Sequence, residues 1–282
     1  DKFCTFCVVP YTRGSEYSRP VQQVIDEARR LRDSGAREIT LLGQNVNAYH
    51  GTAPNGHTMG LAELIAAVAE VEGIERIRYM TSHPRDMDQD LIDAHGSIPK
   101  LMPFLHLPVQ HGADEILKQM NRKHTADHFR DIIARVRKAR PDIGLSSDFI
   151  VGFPGESDRH FEELLQLVRD TGFSTSYSFK YSARPGTPAA NMQNLVAEKI
   201  MDERLQELQK LLFSQHQAFN ERYRGQTVEV LADGIGNRPN QLHGRTAHNQ
   251  AVHVTCDPAL LGQMLQVKVT GASASALTGE TV

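Results

Sequence analysis

The chain has 282 residues, of which 40% are hydrophobic and 23% charged, and a net charge of −3. That balance excludes a disordered polyelectrolyte and leaves room for one large domain with a sizeable core and one small domain. No run approaches the roughly 18 apolar residues that span a bilayer, and the start has no signal-peptide layout, so the reading is of a cytoplasmic protein without membrane contact. The slight acidity gives no general attraction to nucleic acid, and any RNA affinity must come from local basic patches. Three cysteines, two of them three positions apart, make no disulfide framework in a chain of this length.

From the N-terminus to about residue 180, short apolar runs alternate with stretches of helical period, a β/α pattern. Strands are predicted over 37–42, 76–81, 103–109, 145–151 and 173–179. Between them Val21, Val24, Ile25, Ala28 and Leu31 share a helical face, as do Leu61, Leu64, Ile65 and Val68. Phe129, Ile132, Ile133 and Val136 repeat the stripe, and Phe161, Leu164, Leu165 and Val168 repeat it again. Ser18 and Pro20 suit a helix start, Ser157 an N-cap, and Pro141 and Gly172 a stop. Parallel strands joined by right-handed helical crossovers follow. Residues 49–59 form a polar, glycine-containing loop suited to covering a site.

A long helix is predicted over 197–222, with Ile200, Leu205, Leu208, Leu211, Leu212 and Phe219 on one side. From Gly225 onward the period drops to two, over 227–231, 251–254 and 264–269, which predicts a small all-β barrel or sandwich, separable from what precedes it. Cys256 reads there as a small buried residue. Arg222, Arg224, Arg238, Arg245 and Lys268 are candidates to face phosphates, and equally suit a solvated surface.

Cys4-Thr5-Phe6-Cys7 is the sharpest local feature. A C-x-x-C pair suits half of a zinc site, a thioredoxin-like redox pair, or part of an iron-sulfur ligand set. Zinc lacks a second ligand pair at metal spacing. Redox exchange wants a helix N-terminus directly after the pair, whereas Pro10 and Gly14 are expected to prolong a loop.

Cys4, Phe6 and Cys7 match the last positions of the C-x-x-x-C-x-aromatic-C loop of the radical SAM superfamily. CTFCVVPYTRGSEYSRP at 4–20, LLGQNVN at 41–47, TSHP at 81–84, LHLPVQ at 105–110, DFIVGFPGE at 148–156 and YSARPGTPAA at 181–190 resemble its methylthiotransferase branch. The likeness runs through the chain in order and ends in what looks like a TRAM domain. VVPYTRG and GQNVN look like the members that act on isopentenyladenosine in transfer RNA. The relatives that modify threonylcarbamoyladenosine or a ribosomal aspartate are the nearest alternatives, and a noncatalytic RNA-binding protein is a rival of another class. One departure is His111-Gly112-Ala113, where the family usually has Ser-Gly-Ser.

The resemblance implies a partial (β/α)6 barrel over 1–224 and a small all-β TRAM barrel over 225–282. It implies a 4Fe-4S cluster held by Cys4, Cys7 and a third cysteine expected just before residue 1, in an enzyme whose first strand and N-terminal domain precede this chain. On that reading the chain by itself is inactive. S-adenosylmethionine is the cosubstrate, with contacts expected from Phe6, Gly43, Gln44, Asn45, Ser82, Gln110, Asp148 and Arg184, each beside the cluster loop or in or past a predicted strand. Asp148 equally suits a structural role, Gly152 to Gly155 read as a tight turn, and His83 and His106 as satisfied core or surface groups. The expected partners are a transfer RNA bearing N6-isopentenyladenosine and a reductant such as flavodoxin, with the protein a monomer. The sulfur is expected from a second, auxiliary 4Fe-4S cluster in the N-terminal domain.

Overall fold

The computed structural model describes residues 2–14 and 16–282. A five-residue helix α1 (Val9–Arg13) follows the cysteine pair, and α2 (Val21–Asp33) leads into strand β1 (Glu38–Leu41). A hairpin of β2 (Gly51–Thr52) and β3 (Thr58–Met59) precedes α3 (Leu61–Ala69), β4 (Arg76–Tyr79) and α4 (Gln89–Ser97). Then come β5 (Phe104–His106), α5 (Asp114–Gln119), α6 (Ala126–Ala139), β6 (Gly144–Val151), α7 (Asp158–Thr171), β7 (Thr175–Lys180) and the long α8 (Glu198–Glu221).

Strands β1 and β4 pair in parallel, and β5, β6 and β7 form a second parallel sheet in that order. A bridge from Ile77 to Leu101 joins the two pieces. One row of each strand faces the helices: Ile39, Ile77, Tyr79, Leu105, Leu145 and Phe149 share a core with the predicted stripes of α3, α6 and α7. Ser157 caps α7 by accepting from the His160 N–H, and Gly172 ends it at φ +65°.

Several expectations are corrected. The stripe of α2 stops short, leaving Leu31 43% exposed, and Ile200 in the first turn of α8 is 40% exposed. Ser18 caps nothing: Pro20 holds the N-cap position, and the Ser18 hydroxyl accepts from the His50 N–H instead. Pro10 does not prolong a loop. It sits in the first turn of α1, where its missing N–H is harmless, so that ground for setting aside redox exchange falls. The polar loop at 49–59 contains the β2–β3 hairpin, and Tyr49 Oη ties it down by donating to the Arg19 carbonyl at 2.8 Å.

The C-terminal strands β8 (Thr227–Ile235), β9 (Gln241–Thr246), β10 (Ala251–Thr255), β11 (Met264–Ala272) and β12 (Leu277–Thr281) close a barrel in the order β10-β12-β11-β8-β9 around Val230, Val252, Val254, Val267 and Val269. Cys256 is buried against that core. The chain therefore consists of an α/β domain with parallel strands followed by a closed five-stranded β barrel. The two are not loosely joined, because Arg76 and Arg78 reach from β4 into backbone carbonyls of the barrel. No helix among the described residues is long and apolar enough to cross a membrane.

His95 is fully buried on α4 and hydrogen-bonds Tyr79 Oη at 2.7 Å. Burial, with the Arg140 charge adding to it, pulls its pKa from 6.5 down to about 4. The unfolded chain takes up this proton near pH 6.5 and the folded chain does not, so this contribution to stability is full above pH 6.5 and is lost as pH falls toward 4. Its size is up to about 3 kcal/mol. His95→Gln, which keeps a partner for Tyr79, is expected to flatten the stability profile between those pH values in urea titrations, and a profile as steep as wild type refutes the assignment.

Candidate functional site

The loops at the C-terminal ends of β1, β4, β5 and β6 converge with the N-terminal cysteine turn. In that turn the Cys7 N–H donates to the Cys4 carbonyl at 3.1 Å, and both cysteines lie close enough to Arg122 to act on its charge. The turn is pinned along its length. Thr5 donates from its N–H to the Met120 carbonyl and from Oγ1 to the Gln119 carbonyl, and its own carbonyl accepts from the Ala189 N–H. Asn121 Nδ2 donates to the Phe3 carbonyl at 2.6 Å. Phe6 packs on Ala113, Ile116, Met120, Phe153 and Ala189, so the aromatic between the cysteines anchors the loop in a small core of its own.

Cys4 is buried, and its sulfur accepts a hydrogen bond from Arg122 Nη1 at 3.5 Å. Arg122 also donates to the Pro108 carbonyl, while its Nε is buried without a partner. Burial lowers its pKa, and the two cysteines and Asp148 are the groups that oppose this. Around it stand His83, which burial and the Arg122 charge hold down to about 2, and His124, held down to about 4 by the same causes. Their rings meet edge to face at 5.5 Å. A buried guanidinium with thiols beside it and, among the described residues, no carboxylate in hydrogen-bond contact calls for a neighbouring anion. This fits Cys4 and Cys7 as thiolate ligands of an iron-sulfur cluster. Two thiolates are short of the usual ligand set, and the described residues contain no group of three or more His, Cys, Asp or Glu side chains placed to hold a metal.

The loops past β1 and β4 are knitted together. Asn47 Nδ2 donates to the His83 carbonyl and Asn47 Oδ1 accepts from the His83 N–H, both at 2.9 Å, and the Val46 N–H donates to the Thr81 carbonyl. Asn45 donates to Asp86 Oδ2 at 2.6 Å, and Lys2 pairs with the same carboxylate at 2.7 Å. Gly43 and Gln44 are exposed at the rim. Asn45 Oδ1 and Ser82 Oγ are buried polar atoms with no partner, which are places for a polar ligand to bind.

On the concave side of the sheet, His106 Nδ1 bonds Ser146 Oγ at 2.9 Å and Nε2 lies 3.7 Å from Asp148 Oδ1. Burial lowers the His106 pKa and raises that of Asp148, so it favours the neutral form of both. Tyr177, opposite Asp148 in the register, meets the His106 ring edge to face, and both Tyr177 and Phe179 are 54% exposed. His106 is thus a partner of Asp148, and His83 a neighbour of the cysteine turn, rather than remote core groups. Gln110 bridges to Phe149 with φ +77°, its N–H donating to the Asp148 carbonyl. The Arg184 carbonyl accepts from the Thr187 N–H and Oγ1, and among the described residues its guanidinium has no hydrogen bond.

Two residues escaped the sequence reading. Arg122 gave no signal because it meets Cys4 across 118 positions of chain. Glu156, with a side chain of 0% exposure, was visible only as the end of the glycine turn. It accepts from the Gly152 N–H at 2.8 Å and from Arg204 Nη1 at 2.8 Å, and pairs with His111 Nε2 at 3.2 Å.

The sequence profile of the Radical SAM superfamily matches residues 1–168, and that of the TRAM domain matches residues 221–282. Among solved structures, SuiB of Streptococcus suis bound to S-adenosylmethionine is 13% identical, with a TM-score of 0.52 over 76% of this chain and 45% of its own. TsrM of Kitasatospora setae, a radical S-adenosylmethionine methyltransferase with cobalamin and a [4Fe-4S] cluster bound, is 16% identical, with a TM-score of 0.50 over 66% of this chain and 36% of its own. The chain spans less than half the length of either, and at these identities they show a shared fold.

The Asn47 pair is the clearest test of how the rim is held. Asn47→Ala strands a buried N–H and a buried carbonyl of His83, at a cost of about 2–4 kcal/mol. Asn47→Asp keeps the acceptor and is expected to recover part of that loss in urea unfolding. Wild-type stability for Asn47→Ala shows that the two loops are held by other contacts.

Proposed function

This chain belongs to the radical SAM superfamily, and from that membership we propose that it is the barrel and RNA-binding part of a methylthiotransferase acting on C2 of N6-isopentenyladenosine in transfer RNA. The observation that carries the chemistry is the Cys4–Cys7 turn, fixed to α5 and backed by the buried Arg122 guanidinium, at the C-terminal mouth of parallel strands. The observation that carries the RNA is the TRAM barrel behind it.

Cys4 and Cys7 would hold two corners of a 4Fe-4S cluster, which when bound supplies the electron that cleaves S-adenosylmethionine. The buried Arg122 guanidinium beside Cys4 would offset the negative charge of such a group. Gly43, Gln44 and Asn45 are assigned to the methionyl end of the cosubstrate, where Asn45 Oδ1 accepts from its amino group. Ser82 and Gln110 are assigned to its polar edges, and Asp148, kept beside His106, to a hydroxyl or amino group within the concave face. Arg184, whose guanidinium has no hydrogen bond among the described residues and whose carbonyl is held by Thr187, is assigned to a carboxylate or phosphate. Phe6 acts through the loop it anchors. The sulfur is assigned to an auxiliary 4Fe-4S cluster carried outside these residues, and the electrons to a flavodoxin-like reductant.

In the full-length enzyme, Cys4→Ala or Cys7→Ala is expected to reduce 5′-deoxyadenosine formation to background after anaerobic reconstitution, while transfer RNA still binds. Wild-type cleavage by either variant defeats the cluster assignment. Mass analysis of nucleosides from treated transfer RNA tests the substrate: a methylthio gain on threonylcarbamoyladenosine, or on a ribosomal protein, replaces the isopentenyladenosine reading.

A further inference from the structure

Arginines at alternate positions of a parallel strand are an unusual choice, because both faces of such a strand are normally covered and a buried cation loses its hydration. Arg76 and Arg78 of β4 are 1% and 4% exposed, on the concave side of the sheet. Neither is spent on the parallel-stranded half alone. Arg76 Nη1 donates to the Arg245 carbonyl at 2.8 Å, and its Nη2 to the Glu229 carbonyl and carboxylate, both at 3.0 Å. Arg78 Nη1 and Nη2 donate to the successive carbonyls of Ala247 and Thr246, each at 2.8 Å, while its Nε binds Glu38 at 2.9 Å. A planar fork suits two neighbouring carbonyls as a single ammonium cannot.

Two other footings lie at the same junction. His248 Nε2 bonds the Asp142 carbonyl at 2.9 Å just before β6, and Asn220 at the end of α8 donates to the Ser273 carbonyl and accepts from Gln250, both at 2.7 Å. All three engage the N-terminal side of the strands. Ser82 and the cysteine turn lie at the other end of β4, whose four residues from Arg76 to Tyr79 cover on the order of 10 Å.

We infer that Arg76 and Arg78 are positioning residues that lock the TRAM barrel at a fixed angle to the barrel mouth, so that RNA meets two surfaces of one rigid body. This rests on the reading of the TRAM barrel as RNA-binding. The angle matters because two contacts on a rigid frame reinforce each other through effective concentration, and a swinging module loses that reinforcement. A structured RNA long enough to reach both surfaces gains from the lock, and a short oligonucleotide confined to one does not.

The test uses this chain, Arg76→Met/Arg78→Met, Arg78→Lys and Glu229→Ala, with small-angle scattering for shape and filter binding of transfer RNA at moderate salt. The double variant is expected to show a larger radius of gyration and about tenfold weaker binding of transfer RNA, with a short single strand bound as before. Glu229→Ala, which leaves the carbonyl contacts in place, is expected to stay near wild type in both. A folded double variant with unchanged scattering and unchanged affinity overturns the inference, and one that only melts earlier reduces the arginines to a stabilising role. If the double variant does not fold, Arg78→Lys decides by the same two readouts, with a few-fold loss expected and none refuting the lock. If the wild-type chain binds no transfer RNA, the RNA reading fails, while scattering still decides whether the arginines fix the angle.

Discussion

The pleat of the parallel strands is the constraint on which the rest depends. Side chains alternate across a strand, so each strand that buries Ile39, Ile77, Leu105 or Phe149 under helices must present its other row to the concave side. That second row holds Glu38, Arg76, Arg78, His106, Ser146 and Asp148, with Phe104 and Ile150 as apolar members. A one-residue slip in any strand would put these groups under the helices and is therefore strongly disfavoured. The same register that builds the core thus lines the chamber. It sends Arg76 and Arg78 to the TRAM side, and His106 and Asp148 toward the middle.

Charge inside such a chamber has to be answered locally. Arg204 is answered by Glu156 and Asp158, and Arg78 by Glu38 and two carbonyls. Arg122 differs, with a sulfur, a proline carbonyl and, among the described residues, no carboxylate in hydrogen-bond contact. Burying a cation in this way costs several kcal/mol unless an anion arrives, which makes the cysteine turn the most strongly biased place in the chain for a negatively charged group. The depressed histidines beside it point the same way, since a second and third positive charge there would be unfavourable and both rings stay neutral.

Much of the frame was legible because period is a direct consequence of geometry. The stripes of α3, α6 and α7 and the strand positions of β4 and β6 could be read from apolar spacing alone. What escaped has short or muted signals. Helix α5 has six residues, and β12 alternates Leu277 with Gly279, which is buried because a Cβ there would lie 2.4 Å from the Lys268 carbonyl. Among candidate site residues, the loop positions Asn45, Ser82 and Gln110 were visible as strand ends. The strand at β4 was visible, but sequence could not say that the C-terminal barrel, and not water, would meet Arg76 and Arg78. Nor could it place Arg122, whose role depends wholly on tertiary contact.

The departure at His111-Gly112-Ala113 shows how such a site absorbs a change. Gly112 is kept, and its backbone passes so close to α7 that a Cβ would come within 2.5 Å of the Glu163 carbonyl. At position 111 a hydroxyl would offer an acceptor to the start of α5. His111 Nδ1 supplies that acceptor, taking the Ala113 N–H at 3.0 Å, and its Nε2 extends to Glu156. A tautomer with its proton on Nε2 satisfies both contacts. His111 therefore holds the turn after Gln110 and links it through Glu156 to Arg204 on α8.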